Sequence, residues 1–379
     1  MSAGLHLGTA GFSLIAVCYG FARFAFGLFL PQIEADLSLS STLAGVISGG
    51  AFLGYCIAVV LSAHLTERVG ARLVATSAAV VAGVGMLGIA CSPSTSWLAA
   101  SVMLAGSSAG LASPPMAAAV ATVIRLDRQN AANTFINAGT SAGVVLSGPV
   151  ALVMSGEWRF AFTIFAAVAC LVAISVALSV PSKTTASMGG IKRRLLFNRD
   201  IRRLIAASFL TGACSTTLWT FGGQLVLLRL GWRSSDAGLL WIAIGTSGIV
   251  GAGAGILIAR LGVNAAHRIF LGAMATGILM VGSDNTTPAL TLGGGALFGA
   301  AYIMLTGVYL VWGVTALQDR PATGLMVGFL TLAIGQTVGA SAFGLLVSGI
   351  NINYAVPVFT SLAFAAGLLR AGTTGGRRA

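Results

Sequence analysis

Charged residues are scarce in this chain. Lys, Arg, Asp and Glu together make up 8% of its 379 residues, and only 9 residues are acidic. Soluble domains carry charge on about a quarter of their residues, whereas 56% of this chain is hydrophobic and its mean hydropathy is +0.94. The composition therefore excludes a soluble globular protein and predicts a chain that crosses a membrane several times.

Metal-binding and redox patterns are missing as well. The five Cys residues lie in apolar stretches without C-x-x-C spacing, so no disulfide framework, metal site or cofactor is expected. They are Cys18, Cys56, Cys91, Cys170 and Cys214. The net charge is +12, but the basic residues do not form an aromatic-lined face, which argues against a nucleic-acid partner. Residues 1–7 lack a basic segment, so we expect the first apolar run to stay as a span.

Twelve apolar runs of about 20 residues are each long enough to cross about 30 Å of hydrocarbon as a helix. The first six are residues 8–31, 42–65, 73–91, 97–124, 131–155 and 158–180; the second six are 204–230, 238–259, 269–283, 289–314, 324–348 and 355–369. We therefore predict an all-α membrane protein with twelve transmembrane helices in two repeats. Residues 1–180 and 204–379 form the two bundles, and 181–203 is the linker.

The distribution of Lys and Arg fixes the predicted orientation, because short loops that retain positive charge stay in the cytoplasm. With both ends inside, seventeen of the 21 basic residues lie on the inner side, and the outer loops hold only Arg159, Arg229 and Arg233. A missed or added span would invert this asymmetry, so it supports twelve helices and cytoplasmic termini.

The linker 181–203 is the longest polar stretch, with seven basic residues and one acidic residue, Asp200. Such a segment could bind lipid headgroups or regulate the protein. The alternative is that it only anchors the topology beside anionic headgroups.

The two halves repeat each other in sequence. Residues 63–72 (AHLTERVGAR) and 255–264 (GILIARLGVN) are 192 positions apart, and they align Arg68 with Arg260 and Gly70 with Gly262. Two six-helix repeats of the same orientation predict a transporter whose halves rock about a site near the middle of the membrane.

The first copy of this repeat resembles the loop signature of the major facilitator superfamily, G-x-L-a-D-R-x-G-r-[KR]. Leu65, Arg68, Gly70 and Arg72 agree with it, while Glu67 replaces its Asp. Three further segments resemble parts of the same superfamily. They are 156–162 (GEWRFAF) at the start of the sixth helix, the antiporter fragment Gly148-Pro149, and 19–31 (YGFARFAFGLFLP), which is similar to the first helix of bacterial sugar and drug permeases.

The resemblance implies a conformational latch at the inner surface. In it, Glu67 would face the N-terminus of span eleven near Gly324, where free N–H groups favour an anion. Alternatively these residues only form a tight turn. The candidate gating residues are Glu67, Arg68, Gly70, Arg72, Arg260, Gly262, Gly148 and Pro149.

Arg23 is the one formal charge that the predicted spans place inside the membrane. All nine acidic residues fall outside the spans, and His6, His64 and His267 fall at or beyond inner ends, so proton antiport through a side chain is poorly supported. A buried Arg costs at least ~3 kcal/mol without partners. It either binds an anionic solute through two parallel hydrogen bonds or holds an outer gate, tied to backbone carbonyls or Glu34.

Other polar and aromatic residues at apolar depth complete the candidate solute site. In the alternative interpretation, about half of these groups serve hydrogen bonds and packing between helices rather than solute binding. The candidates for contacts with solute are Arg23, Tyr19, Asn133, Asn137, Trp219, Gln224, Tyr302, Tyr309 and Gln336, and Thr306 lies at the same depth.

The predicted function is secondary transport of a small organic solute, carrying one negative charge, by alternating access. We expect a monomer in the bacterial inner membrane, with both termini cytoplasmic and with solute and lipid as its partners. The alternative within this class is broad export of lipophilic compounds. A membrane enzyme would need convergent His, Asp or Glu residues in the bilayer, and a receptor would more naturally carry a large soluble domain; the sequence has neither.

Overall fold

The computed structural model describes residues 3–154, 156–182, 199–249, 253–317 and 321–371, which form helices joined by short turns. In the first half, α1 runs through Ala3–Ile15, the π-helical Ala16–Phe24 and Ala25–Leu37, and then follow α2 (Ser41–Val69), α3 (Ala71–Ala90), α4 (Thr95–Val123), α5 (Gln129–Val153) and α6 (Trp158–Ser179). In the second half, α7 comprises Arg199–Trp219 and Gly222–Leu230, α8 comprises Ala237–Gly248 and Ala254–Leu261, and then follow α9 (Val263–Gly282), α10 (Pro288–Ala316), α11 (Pro321–Gly349) and α12 (Ile352–Gly367).

The helices match the predicted membrane class. Within the described residues, 8 helices are long and apolar enough to cross a membrane, or 9 if the bent α7 is counted as one span, and α12 is a shorter apolar helix. At 1.5 Å rise per residue, about 20 residues span the hydrocarbon. The prediction of an all-α membrane protein is confirmed. Most of the linker, residues 183–198, lies outside the described residues.

Two spans differ from their predicted form. The seventh was expected as one helix over 204–230, but it bends by 50° between its two parts. The bend lies beside Gly223, where a Cβ would sit 2.9 Å from the carbonyl oxygen of Gly27 in α1, so a side chain at this position would collide with the backbone of α1. The ninth span begins at Val263 rather than at 269, because the polar Asn264 and His267 belong to its first turns.

Polar side chains set several helix starts. Ser40 accepts a hydrogen bond from the N–H of Leu43, and Thr287 accepts one from Leu290. These side chains satisfy N–H groups that have no acceptor inside the helix. Pro288 at the start of α10 needs no such acceptor, since it lacks an N–H.

Within each half the helices pack against one another. The two halves contact each other along three helix pairs. The pairs that join them are α1 with α7, α2 with α11 and α5 with α8. We call the end of the bundle where α1 meets α2 the distal end, and the end that carries Ala3 and Ala371 the terminal end. The internal repeat is visible at the terminal end, where Gly70 (φ 91°) joins α2 to α3 and Gly262 (φ 78°) joins α8 to α9.

Candidate solute site between the two halves

The π-helical segment of α1 positions Arg23. In this segment the backbone is wider than an α-helix, and such segments are frequent at functional sites. Gly20 lets this wider segment approach α5 closely, since a Cβ there would lie 2.8 Å from the backbone nitrogen of Val144. The segment is almost completely buried, and Arg23 itself is 5% exposed. The chain therefore fixes a guanidinium group inside the bundle.

Arg23 has only neutral partners. One terminal nitrogen donates to Oε1 of Gln336 at 2.7 Å, and Nε has no hydrogen-bond partner among the described residues. Its Cζ lies 4.2 Å from the ring centroid of Tyr55 and 5.0 Å from that of Phe52. Aromatic faces attract a cation, but none of the ion pairs formed by the described residues includes Arg23. Its charge is thus shielded by rings and not neutralised.

Gln336 connects Arg23 to the second half. Its Nε2 donates to the hydroxyl of Tyr302 at 3.1 Å and to Ser215 Oγ at 3.3 Å. One fully buried amide therefore joins α11 to α1, α10 and α7. We call Arg23, Gln336, Tyr302 and Ser215 the central cluster.

A second hydrogen-bonded group adjoins the central cluster within the first half. The hydroxyls of Tyr19 and Ser113 are 2.9 Å apart, and the ring of Tyr19 lies edge-on to Tyr55 with centroids 6.1 Å apart. Tyr19 is half-buried, whereas Arg23 is buried. A polar, partly accessible side chain thus lies one helical turn from the guanidinium.

An aromatic layer packs beside the central cluster. Trp219 stacks on Phe24 with centroids 4.2 Å apart and an angle of 25°, and it meets Tyr302 and Phe298 edge-on at 5.3 and 5.5 Å. Such contacts add attraction beyond simple burial. The indole Nε1 of Trp219 has no hydrogen-bond partner among the described residues. The layer is thus a buried apolar surface that contains one indole N–H without a described partner.

Small residues close the halves against each other on the distal side of this layer. A Cβ on Gly49 would lie 2.8 Å from the carbonyl oxygen of Thr337, and one on Gly148 would lie 2.6 Å from that of Gly238. Ser48 and Thr220 are hydrogen-bonded across the halves at 2.8 Å. We call these contacts of α2 with α7 and α11 and of α5 with α8 the distal seam; it separates the central cluster from the distal end.

The remaining predicted solute residues lie elsewhere. Gln224 donates to Ser41 Oγ at 3.1 Å and so belongs to the distal seam. Asn133 is half-buried and Asn137 exposed on α5. Tyr309 forms a separate buried group, in which its hydroxyl contacts Thr211 and lies 3.1 Å from Nε2 of His267. The structure brings together Arg23, Tyr19, Trp219, Tyr302 and Gln336, and it does not place the others beside them.

The predicted gating residues lie at two levels. Gly148 and Pro149 lie on α5 in the distal part of the bundle, whereas Glu67, Arg68 and Arg260 are exposed at the terminal end. Arg72 donates from Nε to the carbonyl oxygen of Val180 at 2.6 Å, which ties α3 to the end of α6 in its own half. Gly324 packs on Gly313 of α10. The latch between Glu67 and α11 stays a prediction.

Sequence reasoning missed several members of the site. Ser215, Tyr55 and Ser113 complete the hydrogen bonds and ring contacts around Arg23. Tyr55 could have been predicted on the same ground as Tyr302, because it is a phenol in an apolar span. The serines could not, since Ser is common in membrane helices.

Ion pairs brace the distal end of each half. Arg159 at the start of α6 pairs with Asp36 at the end of α1 and donates to Ser92 O beyond α3. In the second half, Arg229 at the end of α7 pairs with Asp284 and donates to Gly282 O at the end of α9. Arg229 also donates to Asn353 Oδ1 in α12, so in each half the Arg joins three helices. The described residues contain no group of three or more His, Cys, Asp or Glu that could hold a metal.

Known proteins resemble this chain over most of its length. A family model described as the Major Facilitator Superfamily matches residues 12–340. A chloramphenicol efflux pump of Mycobacterium tuberculosis is 26% identical over 304 residues, which are 77% of this chain and 70% of the pump.

Solved structures share the fold at low identity. The xylose transporter XylE from E. coli, in an inward-open conformation, has a TM-score of 0.80 at 14% identity over 98% of each chain. The nucleoside transporter NupG has a TM-score of 0.74 at 13% identity over 97% of this chain and 98% of its own. Since the family model covers most of the sequence and these folds agree, the chain belongs to the Major Facilitator Superfamily and is a membrane transporter rather than an enzyme.

Proposed function

We propose that the protein is a secondary transporter that carries a small organic solute with one negative charge by alternating access. The observation that supports this most directly is a buried Arg23 whose hydrogen-bond acceptor is the neutral Gln336. An uncompensated charge in the bilayer interior costs at least ~3 kcal/mol. A carboxylate of the solute removes this cost by accepting two parallel hydrogen bonds from the guanidinium.

One positive charge in the central cluster favours a monoanion. The other members of the cluster, Gln336, Tyr302 and Ser215, donate and accept hydrogen bonds but carry no charge. The rings of Trp219 and Tyr55 suit an apolar or aromatic body on the solute. The solute displaces the amide oxygen of Gln336 from Arg23 and takes its place as acceptor.

Alternating access follows from where the halves meet. The distal seam lies on one side of the central cluster, which supports a conformation closed at the distal end, and in this proposal the solute enters from the terminal end. In the proposed cycle the terminal end then closes and the seam opens, which exposes the same residues on the other side.

Binding measurements on Arg23 variants test the anion contact. A thermal-shift screen of purified protein against monocarboxylates, sugars and cationic drugs identifies the solute class. Arg23→Lys is expected to weaken binding because an ammonium cannot reproduce the planar fork, and Arg23→Gln to weaken it further. Arg125→Gln, which removes an exposed charge, is the matched control. A cationic solute, or unchanged affinity in Arg23→Gln, refutes the proposal and leaves Arg23 as a gate.

Export of lipophilic compounds is the second candidate. The relative named as a chloramphenicol efflux pump supports it, as does the aromatic layer of Trp219, Phe24 and Phe298. Chloramphenicol has no net charge, so this candidate predicts that Trp219→Ala weakens its binding while Arg23→Gln does not. The opposite ranking of the two variants favours the anion carrier.

The proposed orientation places the terminal end in the cytoplasm of a bacterial cell, with the protein a monomer in the inner membrane. In this orientation seventeen of the 21 basic residues lie on the cytoplasmic side, as the retention of positive charge there favours. Reporter fusions at residue 190 and after Ala379 are both expected to report cytoplasm. A periplasmic signal from either fusion contradicts this orientation without affecting the solute site.

A further inference from the structure

A cavity of about 800 Å³ lies at the terminal end of the second half, away from the central cluster. Its walls are the start of α9, the chain that follows α12, and Arg203 of α7. No residue that lines it is acidic. Three of them are arginines, Arg203, Arg268 and Arg370, which come from three separate helices or helix ends. Folding therefore brings like charges together around an open space.

These charges have little local compensation from the part of the chain that the structure describes. Arg203 donates to the backbone oxygen of Arg370 at 3.5 Å, and none of the ion pairs formed by the described residues includes Arg203, Arg268 or Arg370. The acid on the same helix, Asp200, accepts from Trp312 Nε1 at 3.0 Å. Like charges held together repel, so an anion that enters the cavity lowers their free energy.

The backbone around the cavity adds to this positive potential. The turn at Gly262 starts α9, and the first hydrogen bond of the helix runs from Ala266 N to Gly262 O. The N–H groups of residues 263–265 therefore have no acceptor in the helix. Asn264 exchanges hydrogen bonds with the backbone of Ala371 at 2.7 and 3.3 Å, which fixes the opposite wall.

The internal repeat places different residues at this position in the two halves. Asn264 aligns with Arg72, and Arg268 with Thr76. In the first half the long Arg72 side chain reaches the carbonyl oxygen of Val180 at the end of α6. In the second half the shorter Asn264 bonds to the chain beyond α12, and an added arginine lies one turn further along α9. The first half thus bridges this position with a long cationic side chain, whereas the second half uses a shorter neutral one beside Arg268.

We infer that this cavity binds a phosphate group, carried by a lipid headgroup or free in solution. Guanidinium groups from several directions suit a tetrahedral anion, which accepts bidentate hydrogen bonds on each face. The helix start supplies further N–H donors to the same group. The site is separate from the solute site and couples the ends of α7, α9 and α12 through one ligand.

Lipid titration with native mass spectrometry tests the inference. Delipidated wild-type protein in neutral detergent is titrated with dioleoylphosphatidylglycerol and, as the lipid without phosphate, dioleoylglycerol. Arg268→Gln with Arg370→Gln is expected to weaken phosphatidylglycerol binding by roughly tenfold. The matched control, Arg125→Gln with Arg128→Gln, removes the same charge from the terminal end of the first half. It should change phosphatidylglycerol binding by less than about twofold.

A third variant distinguishes a built cavity from general attraction. Asn264→Arg adds positive charge but fills the space as Arg72 does in the first half. A bound phosphate predicts weaker phosphatidylglycerol binding in Asn264→Arg, whereas surface attraction alone predicts stronger binding. Size-exclusion profiles and melting temperatures of all variants verify that they are folded.

Inorganic phosphate distinguishes the two sources. If it raises the melting temperature of the wild type but not of the Arg268/Arg370 variant, and displaces phosphatidylglycerol, the cavity takes a soluble phosphate. If phosphatidylglycerol binds and inorganic phosphate does not displace it, the ligand is the lipid. Equal losses in the cavity variant and its control, or no binding of either probe, overturn the inference.

Discussion

The guanidinium of Arg23 and the amide of Gln336, 2.7 Å apart, form a hydrogen bond between the two halves of the transporter. The bond lies next to the aromatic layer and is shielded from water, since Arg23 is 5% exposed and Gln336 0%. In this conformation the predicted solute residue therefore also holds α1 against α11. The contact with Gln336 and the proposed contact with a solute anion are alternatives for the same guanidinium.

Gln336→Glu should convert this hydrogen bond into an ion pair. A carboxylate at this position neutralises Arg23 and competes with an anionic solute, so we expect solute affinity to fall at least about tenfold, as a loss of ~1.4 kcal/mol requires. The melting temperature should rise or stay constant, because the buried charge gains a partner. Gln224→Glu, at the distal seam, is the matched control and should keep the affinity near wild type. Unchanged affinity in Gln336→Glu would show that the solute does not use Arg23.

Gly148→Ala should prevent the distal seam from closing. The new methyl group would meet the backbone of α8 at Gly238, which cannot move aside as a side chain can. Spin labels at Ala35 and Ile350, on opposite halves, should show a population with a longer distance. At Gly349 a methyl group has open space within 4 Å, so Gly349→Ala should leave the distance distribution unchanged. Identical distributions for both variants contradict the assignment of the seam.

Arg229→Gln should destabilise the second half. Arg229 bonds to Asp284, to Asn353 Oδ1 at 2.6 Å and to Gly282 O at 2.9 Å, and only 10% of its side chain is exposed. Losing these charged hydrogen bonds should cost about 1–3 kcal/mol, measured as a lower melting temperature in detergent. Arg233→Gln removes a side chain that is 81% exposed and should change stability by less than about 0.5 kcal/mol. Equal effects would mean that Arg229 does not brace the helices.

Gly70→Ala should slow transport and leave solute affinity near normal. Gly70 has φ 91° and ψ 156°, a conformation that costs a residue with a Cβ on the order of 1–3 kcal/mol. The strain falls on the turn between α2 and α3 at the terminal end, far from Arg23. Transport in proteoliposomes and equilibrium binding in detergent separate the two effects. A loss of affinity with an unchanged transport rate at saturation would argue against a role in the conformational cycle.

The fold and the charged member of the site could be predicted because each depends on a strong composition signal. Hydrophobic runs define the spans, and a single Arg inside them is conspicuous because buried charge is rare. The bend in α7 was not predicted, although Gly222 and Gly223 adjoin it. Glycine is common throughout these helices, so the bend became visible only through the contact of Gly223 with α1.

The partners of Arg23 could not be derived from the sequence because they depend on how the helices are rotated and shifted along their axes relative to one another. Tyr302 and Tyr309 have the same chemistry and lie on the same helix, but seven residues separate their positions by about 10 Å along the axis. Tyr302 therefore bonds to Gln336, and Tyr309 bonds to Thr211 and His267. Ser215 shows the same limit, since its hydroxyl matters only because Gln336 faces it.

The distal seam determines how much side-chain entropy changes when the halves separate at the distal end. At Gly49, Gly148 and Gly238 it includes backbone against backbone contacts, and these positions have no side chain of their own to order on closing. The side-chain entropy of closure is therefore small, because Gly and Ala have no rotamers to lose. In the proposed cycle, the glycine contacts of the distal end therefore open and close with little change in side-chain freedom.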